Sequence, residues 1–298
     1  MNLCEFCDRD KIWEKHKANS DRIAQYYANS QFEDYCQRII DCGNFLKFEV
    51  VSGEIKLLNA KFCRIRYCPV CQWRRSLQWK ARAYKTIPTV VNDFPRDRWL
   101  FLTLTVKNCP VKCLRKTLNE MHLSFKRLTK LKEWRARGWI KSTEVTLGHD
   151  GLAHPHFHCL LMVPASYFSG SYYLSHAKWV QLWQRSLKID YLPVVDLKAI
   201  KKADNPTVLI PEILKYQTKV KDLISDREWL IELTRQLHKT RSIAIGGVLK
   251  SYLRQLEEQF EELPEEDEIE NCDRETIYFS WNPHQKSIKN LTILITKE

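Results

Sequence analysis

No run in this 298-residue chain approaches the roughly 18 consecutive apolar residues that a membrane-spanning helix requires, so no such helix is expected. A Gly-rich phosphate-cradling loop ending in Lys-Ser/Thr is also missing, which excludes a nucleotide-driven motor of that type. The start, Met1-Asn2-Leu3-Cys4-Glu5-Phe6-Cys7-Asp8, has no basic segment followed by an apolar core, and a secretory signal is not expected. Eleven cysteines without an export signal point to reduced thiols in a cytoplasmic compartment, where they serve as metal ligands more readily than as disulfides.

What is present starts with charge. The formal net charge is +12 and the isoelectric point about 9.1, a surplus that suits a polyanionic partner, nucleic acid or an acidic membrane surface. Apolar residues make up 44%, enough for one large domain or two smaller ones with real cores and too many for a disordered chain.

The N-terminal third reads as a metal-stapled module. Cys63-x4-Cys68-Pro69-x-Cys71 contains the tight knuckle that lets two thiolates reach one tetrahedral zinc. Cys42 is the candidate fourth ligand, because Asn44–Val51, Ser52-Gly53 and Glu54–Ala60 form a hairpin that returns the chain to the knuckle. Cys4-x2-Cys7 competes: it could complete the site with Cys68 and Cys71, or build a second one with Cys36 or His16. The Zn²⁺ is expected to be structural. Trp73-Arg74-Arg75-Ser76 and Trp79 to Lys85 then read as a basic helix, with the tryptophans against the module and cations free to meet a phosphate backbone.

The middle third reads as α+β. Trp99–Val106, Trp139–Leu147, His156–Val163 and Tyr191–Ala199 have strand composition, Gly148–Gly151 is a turn, and Val111–Arg137 and Ser175–Lys188 have helical period. An antiparallel sheet with helices on its faces follows. In His154-Pro155-His156-Phe157-His158, alternation puts His156 and His158 on one face and Phe157 on the other, which preforms half of a divalent-metal site. Glu144, on the preceding strand of the hairpin, can complete a His-His-carboxylate triad with open positions for substrate oxygens. Further on, Pro206–Lys219 reads as a helix on which Glu212 and Tyr216 share a face, with Lys219 one turn on. A phenol beside a metal-bound phosphate is a candidate nucleophile, and Glu212 a candidate base for a second hydroxyl or water.

Three pieces in order carry a resemblance. Phe101-Leu102-Thr103-Leu104-Thr105, His154-Pro155-His156-Phe157-His158 and Tyr216-Gln217-Thr218-Lys219 resemble the three motifs of the HUH endonucleases of rolling-circle replication. With the cysteine segment from Cys42 ahead of them, the chain is most similar to the single-tyrosine replication initiators of small bacterial plasmids. The resemblance implies His156 and His158 as ligands of a catalytic Mn²⁺ or Mg²⁺, with Glu144 as third ligand and His154 as its substitute. It implies Tyr216 as the nicking nucleophile, Lys219 as a phosphate-stabilising helper and Glu212 as the carboxylate near the tyrosine. It further implies single-stranded or hairpin origin DNA as substrate, and a host helicase and polymerase as partners. The expected division is a cysteine-rich zinc module with its basic helix over 1–95, a nuclease domain over 96–220, and a mainly helical C-terminal region over 221–298. In that last region residues 221–238 and 249–260 read as helices separated by Ala244-Ile245-Gly246-Gly247, residues 257–270 are acidic, and residues 277–281 and 291–295 read as short strands. A transposase or relaxase with the same chemistry, a zinc-stapled DNA-binding regulator without catalysis, and an ordinary metallohydrolase are the alternatives.

Overall fold

Residue 3 and residues 11–51, 54–201, 205–214, 218–257 and 276–291 are described by a computed structural model. The helices, in chain order, are α1 (Lys11–Tyr27), α2 (Asp34–Asp41), α3 (Pro69–Asp93), α4 (Leu114–Leu128), α5 (His176–Leu187), α6 (Ile210–Ile213), α7 (Val220–Leu223), α8 (Arg227–Leu237) and α9 (Leu249–Glu257). The strands are β1 (Phe45–Val51), β2 (Glu54–Ala60), β3 (Arg98–Thr105), β4 (Gly138–Leu147), β5 (Ala153–Val163), β6 (Val195–Ala199), β7 (Ile243–Gly247), β8 (Thr276–Asn282) and β9 (Ser287–Asn290). The architecture is α+β with antiparallel sheets flanked by helices, and it divides into two compact units. One comprises residues 1–75, 223–231 and 260–298, the other residues 76–222 and 232–259.

In the first unit the predicted hairpin forms β1 and β2, and β8 and β9 extend the sheet in the order β2-β1-β8-β9. Alternation decides its faces: Leu46, Phe48, Phe279, Trp281 and Ile288 are all buried, with Phe48 and Phe279 edge to face at 5.7 Å. Lys17 is fully buried and donates its ammonium to the carbonyls of Ile39 and Ile40, the negative end of α2.

In the second unit the strand order is β6-β3-β5-β4-β7, every pairing antiparallel. β5 lies in the middle, which explains its unbroken apolar run from Cys159 to Val163. One face packs Trp99, Phe101, Ile140, Leu160 and Met162 against α3, α6 and α9 through Ile87, Ile210, Ile213, Leu214 and Leu249. On the other face Phe157 meets Phe125 of α4 at 6.1 Å.

Several elements depart from the sequence reading. The helix expected over 111–137 ends at Leu128, and the strand expected from Tyr191 begins only at Val195. Of the helix expected over 206–219, residues 206–214 form a 3₁₀ turn, Pro206–Leu209, and one α-turn, Ile210–Ile213; Leu214 leaves helical geometry at ψ 24° and its carbonyl accepts the Ser76 hydroxyl at 2.7 Å, while 215–217 lie outside the described residues. Residues 221–238 form two helices, not one. Ala244–Gly247, read as a separator, belongs to β7; β9 lies at Ser287–Asn290, and residues 292–295 of the strand expected over 291–295 lie outside the described residues. Among the described residues of 221–298, α8 and α9 are accompanied by strands that add an edge to one sheet and two strands to the other. Gly247 shows why a glycine pair sits in β7: its φ is +61°, and a Cβ would stand 1.9 Å from the Arg137 carbonyl oxygen. Residues 258–270 of the acidic stretch and residues 258–260 of the last expected helix lie outside the described residues.

Candidate active site

The β4–β5 hairpin turns through Gly148–Gly151, closed by Gly148 N–H to the Leu152 carbonyl at 2.8 Å and by Leu152 N–H to Asp150 Oδ1 at 3.0 Å. Its register sets Glu144 opposite His156, while β3 sets Thr105 opposite His156 and Thr103 opposite His158. Both imidazoles and the carboxylate thus converge on one sheet face. Glu144 Oε2 lies 3.2 Å from His156 Nε2 and 3.0 Å from His158 Nε2, and all three residues are buried.

The other ring nitrogens are also engaged. His156 Nδ1–H donates to the His154 carbonyl at 3.3 Å, and His158 Nδ1 is 3.2 Å from Thr103 Oγ1. With Nδ1 as donor on each ring, both Nε2 lone pairs face Glu144, the tautomer and orientation that histidine ligands need. Two imidazoles and a carboxylate with polar groups behind them fit a divalent cation with open coordination positions. His154 stands apart: its Nδ1 is 2.6 Å from Asn108 Oδ1, and Asn108 in turn donates to Asp150 Oδ2 at 2.8 Å. Burial, reinforced by His156, pulls the His154 pKa down. Among the described residues the group on this face is Glu144, His156 and His158, without His154.

Tyr216 lies outside the described residues, between two anchored flanks. Leu214 is buried on the face that bears the triad, and Thr218 is fully buried. Asp222 Oδ2 accepts Leu147 N–H at 3.3 Å, tying this segment to the strand that carries Glu144. Lys219 and Glu212 are exposed, and the Glu212 carboxylate is not part of the Glu144, His156 and His158 group.

At the end of β3, Thr105 donates both its N–H and its hydroxyl to the Val194 carbonyl, at 3.2 and 2.9 Å. Trp183 donates to the Thr105 carbonyl at 2.8 Å from the helical side. Next to it the Lys107 ammonium sits 4.2 Å over the Tyr191 ring, and Leu192 and Val194 are each 71% exposed. Cation, aromatic ring and apolar rim thus lie together beyond the end of β3. The sequence reading missed Thr103, Thr105 and Asn108 as site residues, although both threonines lie in the first motif and occupy the positions that strand alternation aims at the histidines.

In the first unit Cys42, Cys63, Cys68 and Cys71 place their sulfurs within 4.8 Å of one another. Cys71 Sγ is 3.5 Å from Cys42 Sγ and 3.6 Å from Cys63 Sγ. Four ligands on a tetrahedron with Zn–S bonds of about 2.3 Å would stand roughly 3.8 Å apart, so the cluster fits a zinc ion. Cys63 N–H points at Cys42 Sγ at 3.4 Å. Burial opposes ionisation of Cys68, but hydrogen bonds from Cys42, Cys63 and Cys71 bring its pKa well below the usual thiol range. Trp73 packs against the module as expected, edge-on to Trp13 at 4.8 Å, and Arg74 lies 4.2 Å over Phe62, whereas Trp79 packs against the core of the second unit and not the module. His16 stacks on Trp73 at 5.2 Å, and neither it nor the half-buried Cys36 belongs to the four-sulfur group. Cys4 and Cys7 lie outside the described residues.

Residues 54–289 match the family described as "Replication protein". The chain is 33% identical over 258 residues to "Protein rep" of Streptococcus pneumoniae serotype 2, covering 84% of this chain and 81% of that protein. It is 35% identical over 259 residues to "Protein rep" of Lactiplantibacillus plantarum, covering 82% and 81%. A "Replication protein" of Staphylococcus aureus is 32% identical over 226 residues, 69% of this chain and 96% of the relative. No solved structure matches.

Proposed function

As the chain belongs to the replication-protein (Rep) family of plasmids, we propose that it initiates rolling-circle replication by nicking one strand of the plasmid origin. The reading rests on one observation above all: Glu144, His156 and His158 converge on a single buried point of the sheet, with both histidines oriented from behind. Those three residues would hold Mn²⁺ or Mg²⁺, which when bound polarises the scissile phosphate.

The remaining steps fall to the chain's own groups. Tyr216 Oη attacks the phosphorus; the P–Oη bond forms, the bond to the 3′ oxygen breaks, and the phenolic proton is released as the 3′-hydroxyl is completed. The 5′-phosphotyrosine keeps the energy of the phosphodiester for later strand transfer. Lys219 offsets charge on the phosphate, and Glu212 accepts a proton when a second hydroxyl or water ends the cycle. The Lys107–Tyr191 pair suits an unpaired base held by stacking and charge. A host helicase would supply unwinding and a polymerase would extend the free 3′ end, in the cytoplasm. The four-cysteine group would hold Zn²⁺ as a structural staple.

The test uses a labelled single-stranded origin oligonucleotide with Mn²⁺ on a denaturing gel. Wild type should cleave it, and cleavage should disappear with chelator and in His156→Ala and His158→Ala. Binding without cleavage by wild type would favour a non-catalytic regulator, and undiminished cleavage in both histidine variants would remove the triad from the mechanism.

A further inference from the structure

In the first unit the sheet β2-β1-β8-β9 buries one face and leaves the other with an unusual population. Alternation places Phe45 and Lys47 of β1 on that open face, and the register sets Tyr278 of β8 directly opposite Lys47. Phe45, a large apolar ring, is 47% exposed. It lies 5.7 Å from the Tyr278 ring, tilted by 30°, and the Lys47 ammonium stands 5.7 Å from the same ring. Lys56, 77% exposed, comes from β2, and Lys289 of β9 pairs with Ser280. Glu49, two residues beyond Lys47, is buried and paired with Lys56 at 3.5 Å, so it presents no open carboxylate.

We infer that this face of the zinc-stapled unit is a second nucleic-acid site that takes single-stranded DNA, its bases stacking on Phe45 and Tyr278 and its phosphates meeting Lys47 and Lys289. The chemistry selects the ligand. Neighbouring rings on a sheet offer π-faces to unpaired bases, and flanking ammoniums neutralise phosphate. Duplex DNA keeps its bases stacked on one another and would leave the rings without partners. A chain with net charge +12 in a replication-protein family handles strands that must stay separated, and a stacking face works without reading sequence. The inference uses the family membership but not the nicking chemistry, and it concerns residues in a different unit from the triad.

The probe is a 15-nucleotide oligo(dT) carrying one 5-iodo-2′-deoxyuridine, bound to the full chain. Irradiation should crosslink peptides containing Phe45 or Tyr278. By fluorescence anisotropy the double variant Phe45→Ala/Tyr278→Ala should bind the same oligo(dT) at least about tenfold more weakly, the scale of a lost base–aromatic stack. Tyr278→Phe should bind like wild type, since the ring and not the hydroxyl is needed. Lys47→Ala/Lys289→Ala should flatten the salt dependence. Crosslinks found only within residues 96–222, unchanged affinity of a double variant that melts like wild type, or tighter binding of duplex than of single strand would each overturn the inference. Crosslinks at Phe45 or Tyr278 in a protein that never nicks would sink the proposed nuclease reading and leave this one standing.

Discussion

Replacing Thr103 with valine tests whether the groups behind the histidines matter. Thr103 Oγ1 stands 3.2 Å from His158 Nδ1, and the two residues are paired across β3 and β5. Valine keeps the β-branched shape and the strand preference but drops the oxygen. The ring then loses the partner that fixes its tautomer, and a buried N–H is left unsatisfied at a cost of about 1–3 kcal/mol in folding stability. Loss of such a partner typically lowers metal affinity about 10- to 100-fold, or roughly 1.4–2.8 kcal/mol. Cleavage of origin DNA should therefore need ten to a hundred times more Mn²⁺ for half-maximal rate in Thr103→Val, with the full rate recovered at saturation. Thr105→Val is the control, because that hydroxyl donates to the Val194 carbonyl and not to a histidine. An unchanged midpoint in Thr103→Val, or an equal shift in both variants, would refute the reasoning.

Lys141 is buried behind β4, its ammonium 2.8 Å from His122 Nδ1 and 3.8 Å from the centre of the Phe157 ring, and burial lowers its pKa from 10.5 to about 8. The unfolded chain holds that proton through the window from about pH 8 to 10.5, so this group makes stability rise with pH there, by up to on the order of 3 kcal/mol. Lys141→Met should flatten that rise in urea titrations and add about 1–2 kcal/mol at pH 7, where the charge is buried at a cost; an unchanged pH slope would contradict the assignment. Cys71→Ser should cost the protein one equivalent of bound zinc and make residues 1–75 the first target of limited proteolysis, whereas the cleavage pattern of wild type would argue against a zinc staple. Gly247→Ala, at φ +61° and against the Arg137 carbonyl, should destabilise the protein by about 1–3 kcal/mol in thermal melts, and a neutral result would mean β7 can shift away from β4.

Local pattern revealed the triad well. His156 and His158 share a face because strands alternate, and Glu144 reaches them because the short turn at Gly148–Gly151 fixes the hairpin register. The knuckle Cys68-Pro69-Val70-Cys71 and the hairpin that returns Cys63 to Cys42 were legible for the same reason: their geometry is local. What escaped depends on distant partners. β7 reads as a Gly-containing break, yet Gly246 and Gly247 are there so that the strand can approach Trp139 and Arg137 closely. β8 pairs with β1 across more than two hundred residues of chain, which no local period encodes. The helical pattern of 206–219 breaks at Leu214, whose carbonyl accepts the hydroxyl of Ser76, a partner far away in the chain. Thr103 was visible in the sequence but its partner was not, since its role exists only through the β3–β5 register.

The most direct measurement is the identity of the covalent species. Wild-type protein incubated with single-stranded origin DNA and Mn²⁺ should yield an SDS-stable adduct whose tryptic map places the nucleotide on Tyr216, absent in Tyr216→Phe and with chelator. Cleaved DNA with a free 5′-phosphate and no protein attached, in wild type and Tyr216→Phe alike, would contradict the account.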